Sequence, residues 1–161
     1  MARESERVGA QFERLLEFTH QHYRDEGRAL LEKLHVPAKP FFQQGRFQWR
    51  PTGKALPDYG GWLSGGRGIL MEAKTTGLKN KWRFPPDRVH QYTYLVEATA
   101  YGVLCVYLIQ WRVADEVRLY PIASLAGPGH SIEREAGLLV KVENGIVDWL
   151  SVLKGETIGS K

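Results

Sequence analysis

The sequence predicts an α/β domain built around a mixed β-sheet, and three features carry that expectation. A long amphipathic stretch opens the chain, a glycine-rich hairpin lies near its middle, and the run Val103–Ile109 is apolar on both faces. An unbroken apolar run of strand length is the pattern of a central strand covered on both sides, which requires helices flanking the sheet.

In chain order, residues 4–34 read as helix. Val8, Phe12, Leu15, Leu16, Thr19 and Tyr23 recur at spacings of three and four, Pro37 marks the stop, and Gly27 divides the stretch into two pieces. Residues 41–49 alternate loosely and are rich in aromatics, which suits a strand or an extended arm ending at a Pro51-Thr52-Gly53 turn. Tyr59–Leu63, Ser64-Gly65-Gly66 and Gly68–Thr75 read as a hairpin. Pro85-Pro86-Asp87 opens a second helix that runs to Tyr101, with Gly102 just past its end. After the central strand come a polar turn at 114–116, a short strand at Val117–Tyr120 and another at Leu138–Val142. An Asn144-Gly145 turn and a short closing segment at 146–153 complete the chain.

With 161 residues, 43% hydrophobic and 25% charged, the chain is one domain, in which residues 38–56 form a candidate arm. The longest apolar run is far below the ~20 residues that span a bilayer, so no membrane partner is expected. The first residues lack the apolar core of a secretory signal. A single cysteine, Cys105, rules out an intramolecular disulfide and fits a reducing compartment, so the expected location is the cytoplasm. The net charge of +4 is compatible with a nucleic-acid partner. Its distribution says more: from Lys39 to Arg88, ten lysines and arginines face only Asp58, Glu72 and Asp87.

Two of those acids form the sharpest feature. Pro57-Asp58 precedes Glu72-Ala73-Lys74 across the glycine-rich turn, and Glu72 and Lys74, two apart on a strand, share a face. Turn parity decides whether Asp58 joins them. A two-residue loop at Gly65-Gly66 sets Asp58 opposite Ala73, on the wrong face, whereas a three-residue loop or a bulge brings it to Glu72 or Lys74. An odd loop or bulge is therefore expected. Two carboxylates, with the Ala73 carbonyl, would suit Mg²⁺, a hard ion that takes oxygen ligands and leaves positions for water and phosphate. The ion would activate water and neutralise developing charge, while Lys74 orients the nucleophile or adds positive charge. The alternative is an ion pair on a solvated strand face.

Pro57-Asp58…Glu72-Ala73-Lys74 resembles the motif of the PD-(D/E)XK nuclease superfamily. The wider sequence is similar to one branch, the RecU-like Holliday junction resolvases. Gly9-Ala10-Gln11-Phe12-Glu13, Asp58-Tyr59-Gly60-Gly61, Glu72-Ala73-Lys74-Thr75 and Phe84-Pro85 leading to His90-Gln91 carry the resemblance in order, with Gly102–Ile109 and Ile146–Leu150 resembling that family's tail. It implies a restriction-endonuclease-like mixed sheet flanked by helices. It also implies Asp58 and Glu72 as Mg²⁺ ligands (Mn²⁺ able to substitute), Gln91 completing the metal site, Lys74 stabilising the transition state, and Glu13 as a first-helix acid near it. Leu56 stands where the family often has a hydroxyl residue.

The implied activity is a Mg²⁺-dependent endonuclease that cuts four-way junctions and leaves 5′-phosphates, working as a C₂ homodimer that matches the two-fold symmetry of its substrate. The segment before Asp58 falls where the family carries a stalk. There Arg46, Arg50 and Lys54, interleaved with Phe42, Phe47 and Trp49, suit stacking on bases and holding phosphates, and an edge strand packed on the core is the other reading. Lys79, Lys81 and Arg83 follow the site and suit the phosphate backbone, or simply a solvated loop. Alternative functions are a nuclease of the same superfamily for another DNA structure, or a junction-binding module that does not cut.

Competing motifs are absent. Gly60–Gly68 lacks the Gly-Lys-Ser/Thr ending of a phosphate-binding loop, and Ser64 is not in Gly-x-Ser-x-Gly. His20 and His22 diverge on a helix, and Cys105 lies in an apolar run, where a buried inert thiol is expected.

Overall fold

The apolar stripe of the N-terminus forms a helix, α1 (Ala2–Asp25), that stops well before Leu34. The computed structural model describes residues 2–35, 37–53 and 56–153, so Lys54 lies outside the described residues. Gly27, at φ +66, ends the helix. The Arg28 N–H donates to the Tyr23 carbonyl at 2.9 Å and the Gly27 N–H to that of Arg24 at 3.0 Å, the paired bonds of a Schellman cap. The expected continuation of the helix is instead β1 (Ala29–Lys33), whose burial alternates with period two at Ala29 and Leu31. Its residues, Ala-Leu-Leu-Glu-Lys, are good helix formers, and pairing with a sheet edge overrides that preference.

The expected arm is a hairpin of β2 (Ala38–Gln43) and β3 (Arg46–Pro51) whose strands, among the described residues, pair only with each other. Gln44 and Gly45, at φ 51 and 73, make its two-residue turn. The register puts Lys39, Phe41, Arg46 and Arg50 on one face and Pro40, Phe42, Phe47 and Trp49 on the other. The last three of these are well exposed, Trp49 at 72%, and neither strand is an edge of the main sheet.

The main sheet has the order β1-β4-β5-β7-β8-β10, where β4 is Tyr59–Leu63, β5 Gly68–Thr76, β7 Leu104–Trp111, β8 Glu116–Pro121 and β10 Leu138–Val140. Only β5 and β7 run parallel, joined through α2 (Val89–Thr99), so the sheet is mixed. The apolar run does form the central strand: Cys105 through Ile109 are all buried. Alternate residues serve two cores. Val106 and Leu108 pack with Phe12, Leu16 and Tyr23 of α1, while Cys105, Tyr107 and Ile109 pack with Leu95 of α2. Helices therefore cover both faces.

A second small sheet, β6 (Lys81–Arg83) with β9 (Ser131–Glu133), replaces the solvated loop that the charges of Lys79 to Arg83 suggest. Near the end, β11 (Val142–Glu143) and β12 (Ile146–Val147) flank the Asn144-Gly145 turn, and α3 (Trp149–Leu153) buries Trp149 beneath α1. Among the described residues no helix is long and apolar enough to cross a membrane.

Candidate active site

The loop between β4 and β5 has the odd length that parity requires. Leu63 N–H donates to the Arg67 carbonyl at 2.8 Å, closing a three-residue loop in which Gly65 and Gly66 both take positive φ. The register Tyr59↔Met71 then continues to Asp58 beside Glu72. The Asp58 N–H donates to Glu72 Oε2 at 3.2 Å, and the Ala73 N–H donates to Asp58 Oδ2 at 2.8 Å. The two acids thus clasp each other's strands.

Lys74 completes the cluster. Its Nζ lies 2.5 Å from Glu72 Oε1 and 3.7 Å from Asp58 Oδ2. Glu72 is fully buried, and its Oε1, although in charge contact with Lys74, lacks a donor in hydrogen-bonding geometry. Burial pushes the Glu72 carboxyl above its ordinary range and the Asp58 charge pushes it the same way, while the Lys74 ammonium opposes them. An acid in that state gains from any further positive charge.

Glu72, Lys74 and Asp58 lie on the α2 face of the sheet. Leu70, of the same parity on β5, packs with the α2 core, and Ile69 and Met71 pack with α1. Tyr107 neighbours Glu72 in the parallel register. Gln91 comes to the same place from the first turn of α2. It is 5% exposed, so it is no surface amide, and its Nε2 donates to the Leu56 carbonyl at 3.3 Å, two residues before Asp58. Leu56, which has no hydroxyl to offer, thus contributes its backbone.

Glu13 is not drawn into this cluster. It lies on α1, on the opposite face, where its carboxylate takes Lys33 Nζ at 2.6 Å and its carbonyl accepts the Tyr59 hydroxyl at 3.3 Å. Lys33 reaches Glu13 because residues 29–33 form β1 and not a continuation of α1. The basic residues expected on DNA are spread out. Arg46 and Arg50 lie on the arm, with Arg50 4.5 Å over the Phe41 ring. Lys79 and Arg83 are exposed, and Lys81 pairs with Glu133 at 2.7 Å in solvent, an interaction worth little. Cys105 is buried away from the cluster, and burial pushes its thiol up to about 11.

The donors suit a hard divalent cation. Both acids are oxygen ligands, among the described residues no histidine or thiol joins them, and the buried Glu72 Oε1 has the Lys74 ammonium as its one neighbouring cation. Among the described residues no group of three or more His, Cys, Asp or Glu side chains gathers elsewhere or here, so the remaining positions would fall to amide, carbonyl, water or substrate oxygens.

A family model described as RecU, Recombination protein U, matches residues 7–136. The chain belongs to the RecU family. The RecU match takes in most of α1, the β2–β3 hairpin, the acid pair and α2, and so includes every residue placed at the site. No curated protein sequence matches the chain. Among solved structures it is similar to Hjc of Archaeoglobus fulgidus, described as a Holliday junction resolvase from an archaeal hyperthermophile. That match has a TM-score of 0.52 and 16% identity, covering 82% of this chain and 91% of that one. The likeness is one of fold, and it agrees with the mixed sheet flanked by helices that the sequence implied.

Proposed function

We propose that this RecU-family chain is a divalent-metal-dependent endonuclease that resolves four-way DNA junctions. The observation that carries the reading is the meeting of Asp58, Glu72 and Lys74 on one sheet face, with Glu72 wholly buried against the Lys74 ammonium. Asp58 and Glu72 would hold the ion, with the Ala73 carbonyl and the Gln91 amide as the further oxygen donors. Mg²⁺, or Mn²⁺ in its place, would supply an acidified water and a counter-charge to the phosphoryl oxygens. Lys74, between the acids and a quarter exposed, orients the attacking water and adds a second positive charge.

The junction as substrate is supported by family membership, by the description of Hjc, and by the arm, which offers an exposed aromatic face backed by Lys39, Arg46 and Arg50. A four-way junction has two strands to cut and two-fold symmetry, so a C₂ homodimer with one site per protomer is the assembly we propose. The buried free thiol is consistent with action in the reducing cytoplasm.

The test is incubation of a synthetic four-way junction with the wild-type chain and with Glu72→Gln, with and without Mg²⁺. Cutting that needs both the ion and Glu72 supports the proposal. Binding without any such cutting leaves a junction-binding module, and cutting that survives Glu72→Gln removes this site from the mechanism.

A further inference from the structure

We propose that Arg88 is a phosphate-binding residue of this site, a second cation opposite Lys74 that takes a non-bridging oxygen of the scissile phosphodiester. The assignment rests on the nuclease reading and names a residue and a ligand atom within it. Arg88 ends the 3-10 turn Pro86–Arg88 and stands at the N-cap of α2. Its Nη1 reaches Gln91 Oε1 at 3.4 Å, while Gln91 Nε2 holds the Leu56 carbonyl just ahead of Asp58. That chain of contacts places the guanidinium on the helix side of the acid pair, with Lys74 on the strand side.

The electrostatics of Tyr107 agree with this placement. Its hydroxyl is held far above the ordinary tyrosine value, first by burial and then by the charges of Glu72 and Asp58, with Arg88 opposing them.

Arg88 carries an uncommitted charge and, unlike the other arginines without a carboxylate partner, hydrogen-bonds Gln91 of the site. Arg24, Arg28, Arg118 and Arg134 each pair with a carboxylate. Among the described residues Arg88 makes no ion pair, not even with neighbouring Asp87, and its one hydrogen bond goes to a neutral amide. The first turn of α2 has no side-chain cap and no acidic residue, so the positive end of the helix dipole adds to the field of the guanidinium. A planar fork of donors in such a field matches two oxygens of a phosphate, which an ammonium cannot do.

The test compares wild type, Arg88→Ala and Arg88→Lys on a synthetic four-way junction, with two readouts. Equilibrium binding is measured against salt concentration with Ca²⁺ in place of Mg²⁺, and single-turnover cutting with Mg²⁺ at saturating protein. Losing one phosphate contact lowers the slope of log K against log salt by about 0.9 in Arg88→Ala. Cutting slows by roughly 100-fold, and Arg88→Lys restores the slope but only part of the rate. A role confined to propping Gln91 would slow cutting and leave the salt slope unchanged, and that result overturns the proposal, as does an Arg88→Ala chain that binds and cuts like wild type. If wild type binds but does not cut with any divalent ion, the nuclease reading falls while the slope still judges the phosphate contact. A wild type that neither binds nor cuts overturns both.

Discussion

Replacing Lys74 with methionine removes the ammonium that faces a wholly buried acid and keeps most of the aliphatic stem. At 2.5 Å the pair has a bare Coulomb attraction of about 7 kcal/mol at an effective dielectric constant of about 20. Removing one partner of a fully buried pair costs ~3–5 kcal/mol, and because Lys74 is a quarter exposed the expected loss is about 2–3 kcal/mol. The loss depends on pH. Glu72 already sits above its reference value of 4.5 because it is buried, and without Lys74 it rises further. The folded chain then keeps a proton that the unfolded chain has released, so stability falls as pH rises above the unfolded value and levels off beyond the folded one. Urea unfolding in EDTA at pH 5 and pH 8 reads this directly. With a slope near 2 kcal/mol per molar urea, the Lys74→Met midpoint should drop by about 1 M at pH 8 and by much less at pH 5. Equal losses at the two pH values would refute the coupling between Lys74 and the Glu72 charge.

Other outcomes follow from the same structure. Gly61→Ala would place a Cβ 1.8 Å from the Leu30 carbonyl oxygen, so β1 must leave β4; circular dichroism melts should show a loss of about 3 kcal/mol or failure to fold. The double change Arg46→Ala with Arg50→Ala acts on an exposed arm. It should leave the melting temperature within the reach of about 0.5 kcal/mol, yet lower the salt slope of junction binding by nearly 2. Cys105, buried and held near 11, should resist a thiol reagent at pH 8 in the native state and react promptly in urea, as absorbance of the released chromophore would show.

The parts of the fold that local chemistry dictates were legible in the sequence. The apolar run at 103–109 could only be a covered strand, Pro85-Pro86 and Gly102 bracket α2, and Asn144-Gly145 does turn β11 into β12. The parity argument ties the meeting of Asp58 and Glu72 to an odd loop or a bulge, and the three-residue loop supplies it. What escaped depends on partners distant in sequence. Nothing within Ala29–Lys33 marks a strand; its conformation is set by the Schellman cap at Gly27 and by the close approach of β4 at Gly61. The β6–β9 pairing joins Lys81–Arg83 to a segment some fifty residues later, again without a local signal. The relation of Glu13 to Lys33 depends on the missed strand and was hidden with it. In the sequence Arg88 is one charge among ten, and only the folded chain shows that it reaches Gln91.

The central claim is that Asp58 and Glu72 together hold a divalent cation, and Mn²⁺ binding followed by electron paramagnetic resonance measures it without any DNA present. One Mn²⁺ per chain should bind to the wild type, be displaced by Mg²⁺, and be lost in both Asp58→Asn and Glu72→Gln. Undiminished binding in either variant, or none in the wild type, would contradict the account.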